Sequence, residues 1–184
     1  MDFRLTDQQK EMVGTVRALV QEKFKPRVKK WQDGTFPFEN IKDLADIGVL
    51  GMAVPEEYGG LGLPVLDCVI VLEEIAKVCY CTSMAVMSAM GAQNRIISNY
   101  APDHVRRKFL PGVVTGETIL AICMTEPHAG TDVANYKTNT TIHGDHVIVN
   151  GVKTLISRAD EAHCFIVFTR VDGRPGREGI GCVL

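Results

Sequence analysis

No stretch of this chain approaches the roughly 20 consecutive apolar residues that a membrane-spanning helix needs, so no membrane span is expected. An excess of charge of one sign is also missing. Twenty Lys and Arg stand against 22 Asp and Glu, a net charge of −2, and a balance so near neutrality gives no electrostatic case for nucleic acid. The six cysteines (Cys68, Cys79, Cys81, Cys123, Cys164 and Cys182) show no C-x-x-C spacing. Most lie in apolar runs and read as small buried hydrophobes, and a reduced cytoplasm is their simplest home. The five histidines show no metal-ligand pattern; His143 and His146 flank a Gly-Asp pair that reads as a hairpin tip. The opening MDFRLTDQQK lacks the apolar region of a secretory signal and the Arg/Ser bias of a transit peptide. Repeats and low-complexity segments are absent.

What is present is ordinary globular composition. The 184 residues are 46% hydrophobic and 23% charged, enough for one large or two small domains. Lys23, Lys25, Arg27, Lys29 and Lys30 form one basic cluster, and Arg106, Arg107 and Lys108 another. Both read as solvated helix faces, the sharper alternative being a surface for a phosphate-bearing ligand or an acidic partner.

Helical periodicity dominates the first part of the chain. Thr6 with Gln9 has the form of a capping box, and Met12, Val13, Val16, Leu19 and Val20 recur on one face. Pro26 is a late breaker. A second stripe, Phe38, Ile41, Leu44 and Ala45, ends where Gly48 fits a left-handed cap. VPEEYGGLGLP, residues 54–64, reads as a loop. One helix is expected over 65–78, with Leu66, Val69, Ile70 and Ile75 inward. Another is expected over 82–100, buried nearly all round, and a last one over 103–113, interrupted by Pro111. The period then changes. Apolar, β-branched runs at 118–124 and 164–171, weak alternation at 138–142, segments 146–150 and 152–157 around a hairpin-type Asn150-Gly151, and a run from 180 to 184 all read as strands. Helices then strands predict an α+β chain, with an α-helical domain over 1–115 and a β-domain over 116–184.

Two blocks carry the chemistry. TEPHAGTD, residues 125–132, sets small residues, a proline and several hydroxyl or carboxyl groups at the end of a strand. Ala129 and Gly130 put no bulk in the way of backbone N–H groups that approach a flavin or a phosphate. NGVKTLIS, residues 150–157, ends in the hydroxyl of Ser157. In this order and spacing the pair resembles the flavin-binding signature of the acyl-CoA dehydrogenases. The resemblance extends to DFRLTDQQ, to 43–63 (DLADIGVLGMAVPEEYGGLGL), to LEEIAK at 72–77, to GE at 116–117, to AICMTEPHAGTD at 121–132 and to FIVFTR at 165–170, so it covers essentially the whole chain.

The resemblance implies a helical N-terminal domain, then an antiparallel β-barrel-like middle domain, incomplete here at its C-terminal end, with FAD lying against the barrel and a C-terminal helical bundle. It implies α,β-dehydrogenation of an acyl-CoA thioester, electrons passing to an electron-transfer flavoprotein, and a homo-oligomer, dimer or tetramer. Ile122 to Thr131 would run along the flavin. Thr125 and the backbone at Met124 would meet the ring edge, and Gly130 would leave room for the cofactor. Thr131 would touch both the flavin phosphate and the CoA ester, and Leu155, Ile156 and Ser157 would close on the ring, Ser157 near N5. The helix around 84–92 would contribute to the acyl pocket.

Three departures from the family pattern stand out. Leu155 stands where an aromatic usually stacks on the flavin, a loss of about 0.5–1.5 kcal/mol beyond area. His128 stands where glycine is common, either facing solvent or contacting a phosphate. Thr131 and Ser157 exchange threonine and serine but keep the hydroxyl. The family's catalytic carboxylate would lie beyond Leu184, so the chain is expected to be part of a longer protein. Glu56, Glu57, Glu73, Glu74 and Glu126 are the evident carboxylates and none is assigned as base; Glu73 and Glu74 read as helix surface, Glu126 as structural in its loop. Two other readings stay open: a catalytically silent relative that does not hold FAD firmly, and a flavin oxidase on the same fold.

Overall fold

A computed structural model describes residues 4–184; Met1 to Phe3, the last two of which open the DFRLTDQQ block, lie outside the described residues. The chain divides into two compact units, one ending at Ile119 and one running from Leu120 to Leu184. The first is helical and the second is built on a sheet, so the chain is α+β.

Helix α1, Asp7–Leu19, opens on the expected capping box. The Gln9 N–H donates to Thr6 Oγ1 at 3.2 Å, and the Thr6 N–H donates to Gln9 Oε1 at 3.0 Å. Pro26 does not break the path outright. It has no N–H for the carbonyl of Glu22 and its ring crowds that carbonyl. The backbone answers with a wider π turn over Val20–Phe24, resumes α geometry over Lys25–Arg27 and tightens to a 3-10 turn ending at Trp31. Val20 and Phe24 are fully buried and hold the turn in place.

Helix α2, Phe38–Asp46, buries Asn40, Ile41 and Leu44 and stops before Gly48, which is left-handed as expected. Its polar face absorbs much of the first basic cluster. Lys23 and Arg27 both reach Asp43, at 2.7 and 2.6 Å, and Lys30 meets Glu39 at 3.3 Å. These cations are therefore engaged inside the unit.

Helix α3, Val65–Ala76, corrects the expected inward face. Leu66 and Val69 are exposed, while Asp67, Cys68, Val71, Glu74 and Ile75 are buried. A helix apolar on nearly every side has no strong phase of its own. Here the polar residues set it: Gln9 donates to Asp67 at 2.7 Å, and Arg17 grips Glu74 with two bonds of 3.0 Å. Glu74 is thus buried against α1, not a surface residue. Its carboxyl is held at about 2 by Arg17 first, against the opposing effect of burial, with Lys77 adding to Arg17.

The single helix expected over 82–100 is two, α4 (Tyr80–Met90) and α5 (Ala92–Tyr100), broken at Gly91. A Cβ at Gly91 would stand 2.5 Å from the Met87 carbonyl oxygen, so the close approach requires glycine. α4 is buried on most sides, as its composition implies. Helix α6, Asp103–Thr115, runs through Pro111 without interruption. Pro111 faces out, where water can take the carbonyl its missing N–H leaves unpaired, and Leu110 and Val113 are buried beside it.

The second unit has five strands: β1 Leu120–Cys123, β2 Asn139–His143, β3 His146–Asn150, β4 Cys164–Val171 and β5 Ile180–Val183. β4 is the hub. β1 pairs with it in parallel from Leu120↔Cys164 to Cys123↔Val167, and β2 in parallel over Asn139↔Arg170 and Thr140↔Val171. β5 pairs with it antiparallel, and β2 pairs antiparallel with β3. The antiparallel barrel expected from the resemblance is thereby corrected to an open, mixed sheet. Periodicity reports which side of a strand is wet, and it carries no information on strand direction.

Of the two expected hairpin turns, the one at Gly144-Asp145 forms and the one at Asn150-Gly151 does not. His143 pairs with His146 around Gly144-Asp145, and residues 152–157 are not a strand. Among the described residues no helix is long and apolar enough to cross a membrane.

Candidate functional site

β1 delivers Ile122 to the sheet opposite Ile166 and releases the chain at Met124. The loop that follows folds back on itself, because the Glu126 and Ala129 backbones exchange two hydrogen bonds of 3.0 and 3.1 Å. This tight return places Pro127 and His128 outside and leaves Gly130 and Thr131 exposed. A Cβ built on Gly130 would meet nothing within 4 Å, so the backbone there faces open space.

The second block is drawn against the first by three bonds. The Thr154 N–H donates to the Thr125 carbonyl at 2.9 Å. Lys153 Nζ donates to the Met124 carbonyl at 2.8 Å and to Glu126 Oε1 at 2.9 Å. Residues 27 to 29 positions apart are thus held edge to edge. Ile156 is half-buried and Leu155 and Ser157 are exposed. Leu155 is 85% exposed at φ 57°, a left-handed conformation that costs a non-glycine residue about 1–3 kcal/mol and clusters at functional sites. Gly130, Thr131, Leu155, Ile156 and Ser157 take no part in the three bonds, and all but the half-buried Ile156 are exposed.

Glu126 is the node beneath. Its carboxylate accepts from the Lys137 N–H at 2.7 Å, the Thr138 N–H at 3.0 Å and Lys153. Burial by itself would raise its pKa. The donors from Thr138, Lys137 and Lys153 outweigh that and hold it at about 2. The reading of Glu126 as structural agrees with this arrangement. Sequence reasoning missed Lys153, whose ammonium also lies 3.8 Å from the centre of the buried Tyr136 ring. A lysine inside an otherwise apolar or hydroxyl block was the available signal. His128 is not a free solvent-facing side chain: its Nε2 stands 3.3 Å from both Glu126 Oε2 and the Asn135 carbonyl.

A carboxylate held below its ordinary range adds stability above that range and loses it as pH falls through the lowered value. Acid titration of the second unit is therefore expected to show little change above pH 4.5 and a progressive loss toward pH 2. Near-ultraviolet circular dichroism across that window checks it, and a flat signal down to pH 2 would remove Glu126 as a stabilising anion.

Recesses of the first unit include one of about 140 Å³ beside Arg17 and Glu74, and two more. One, of about 600 Å³, lies between α1 and the 47–63 segment and is floored by Met12, Val16 and Met52. The other, of about 20 Å³, is lined by Ala85, Val86, Ser88 and Ala89 of α4. Within its own unit α4 buries Ala85, Val86, Ala89 and Met90, while Met87 stays exposed.

Comparison with known proteins decides the affiliation. Residues 6–117 match the family described as acyl-CoA dehydrogenase, N-terminal domain, and residues 121–184 match acyl-CoA dehydrogenase, middle domain. The chain belongs to the acyl-CoA dehydrogenase family. It is 35% identical over 181 residues to the mitochondrial isobutyryl-CoA dehydrogenase of Dictyostelium discoideum, covering 98% of this chain and 43% of that one. Among solved structures it resembles an acyl-CoA dehydrogenase from Geobacillus kaustophilus, with a TM-score of 0.91 and 30% identity, covering all of this chain and 49% of that one. It also resembles a Bacillus anthracis acyl-CoA dehydrogenase complexed with FAD, with a TM-score of 0.85 and 26% identity, covering 92% of this chain and 30% of that one. The chain spans about half the length, or less, of the acyl-CoA dehydrogenases it matches.

Proposed function

We propose that residues 1–115 and 116–184 are the helical and middle β-domains of an FAD-dependent enzyme that dehydrogenates an acyl-CoA thioester between its α and β carbons. The observation that carries this reading is the joining of 124–126 to 153–154, which sets the two blocks side by side with Gly130, Thr131 and Ser157 exposed. The donor set suits a flavin. Ile122, Leu155 and Ile156 offer apolar surface, and Gly130 leaves its backbone open. Thr125, Thr131 and Ser157 offer hydroxyls, and the Met124–Thr125 peptide adds a backbone donor.

In this reading FAD, when bound, supplies the acceptor for the β-hydride. Thr131 serves both the cofactor phosphate and the CoA ester, and Ser157 and Thr125 orient the ring. No carboxylate of the chain is assigned as the base that takes the α-proton. Glu126 and Glu74 are buried, fully engaged and held at about 2, too acidic to accept a proton from carbon. Glu73 is an exposed partner of Lys77. An electron-transfer flavoprotein as electron acceptor, a homo-oligomeric assembly and a cytoplasmic location complete the proposal.

One feature favours a second reading. The exposed Leu155, in place of a stacking aromatic, suits a relative that does not retain FAD. A visible spectrum separates the two. The protein is supplied with FAD, freed of excess and titrated with acyl-CoAs of graded chain length. Retained flavin bands, bleached by a preferred length, are expected. At full length, a colourless protein would overturn the dehydrogenase reading in favour of the silent one, and flavin that is retained but reoxidised rapidly by O₂ would favour an oxidase.

A further inference from the structure

One buried ion pair ties together three segments of the second unit. The Lys153 ammonium spends its donors on the Met124 carbonyl and Glu126 and lies on the Tyr136 ring. Glu126 in turn anchors the backbone of 137–138. Only 9% of the Lys153 side chain and 1% of the Glu126 side chain are exposed, so neither is a surface ion pair free to exchange with water.

The consequence lies in one peptide plane. The Met124–Thr125 peptide is trans, as the absence of cis bonds requires, and a trans peptide directs its C=O and N–H to opposite sides. The Met124 carbonyl is aimed at Lys153, so the Thr125 N–H is aimed away from it. The next carbonyl, Thr125, is fixed by the Thr154 N–H. Two successive peptide planes at the ring-edge position are therefore oriented from behind, one by a side chain and one by backbone.

We propose that Lys153, held by Glu126, is a positioning residue for the flavin: it fixes the Met124–Thr125 peptide so that its N–H is presented to the cofactor before the cofactor arrives. This rests on the flavin reading above. A donor fixed in advance costs no ordering on binding, whereas a free one does. The interaction is specific to Lys153, because Thr154 acts through its backbone and would survive loss of the lysine.

The test compares Lys153→Met and Lys153→Arg with the wild type, reading the FAD dissociation constant, the bound-flavin visible spectrum and the rise in Tm that FAD produces. Lys153→Met is expected to weaken FAD binding about tenfold, the loss of one well-placed hydrogen bond. It should also shrink the FAD-dependent Tm rise and shift the flavin bands, while Lys153→Arg restores most of each. If Lys153→Met does not fold, Lys153→Gln keeps a donor without the charge and is read in the same way. An equal fall in Tm with and without FAD, at unchanged dissociation constant and spectrum, would show a purely structural pair and overturn the proposal. A wild type that takes up no FAD would overturn the flavin reading and the proposal together.

Discussion

Glu126→Ala is expected to lower the stability of the second unit by about 3–5 kcal/mol, the usual cost of leaving a buried charge without its partner. The alanine removes the acceptor for Lys153 and for the N–H groups of Lys137 and Thr138 at once. Water cannot readily replace it, because the site beneath the 125–132 loop is closed. Against a typical domain stability of about 5–15 kcal/mol, such a loss leaves little margin. Denaturant unfolding of variant and wild type gives the number directly. The double variant Glu126→Ala with Lys153→Met should recover part of it, since the orphaned cation is gone. A single-variant loss under about 1 kcal/mol would mean that Lys153 swings out to solvent at little cost, and the node would then be far softer than its geometry implies.

Gly151→Ala is expected to cost about 2–4 kcal/mol, from strain and overpacking together. Gly151 has φ 153°, and a Cβ there would stand 2.5 Å from the Thr138 Cα and 2.6 Å from its Cβ. Backbone lies against backbone, so no side-chain rotation relieves the clash. The segment that must move is the one leading into Lys153 and Thr154, and limited proteolysis should therefore find residues 151–158 newly accessible. An unfolding free energy within about 1 kcal/mol of wild type would show that the segment shifts aside without loss.

Much of this architecture is written locally. The Thr6/Gln9 cap, the left-handed stop at Gly48 and the change from helix to strand after residue 115 depend on nearest neighbours, and each reads directly from residue type. What did not read depends on partners far along the chain. The inward face of α3 is set by Gln9 and Arg17, more than 50 positions away. The break at Gly91 is a local exception: the crowding Met87 carbonyl is only four residues back, but a Met- and Ala-rich helix pattern conceals it. Asn150-Gly151 has the residue types of a turn, yet its glycine serves a close approach to Thr138; the hairpin tip at Gly144-Asp145, by contrast, was legible from its flanking histidines. At the candidate site the two blocks were legible as motifs. Lys153 was not, because a lysine's usual place is in solvent, and only the fold shows it buried on Glu126 and Tyr136.

The parallel pairing of β1 with β4 has a consequence for how the protein is made. Leu120 meets Cys164, 44 positions later in the chain, whereas the β2–β3 hairpin closes over three. A ribosome adding roughly 5–20 residues per second completes the hairpin in roughly 0.6–2.4 seconds. The apolar β1 then waits roughly 2–9 seconds for its partner strand to be synthesised. During that interval an exposed Leu-Ala-Ile-Cys edge is a docking point for chaperones and for other nascent chains alike, so the rate of translation through residues 124–163 bears on yield as well as on output.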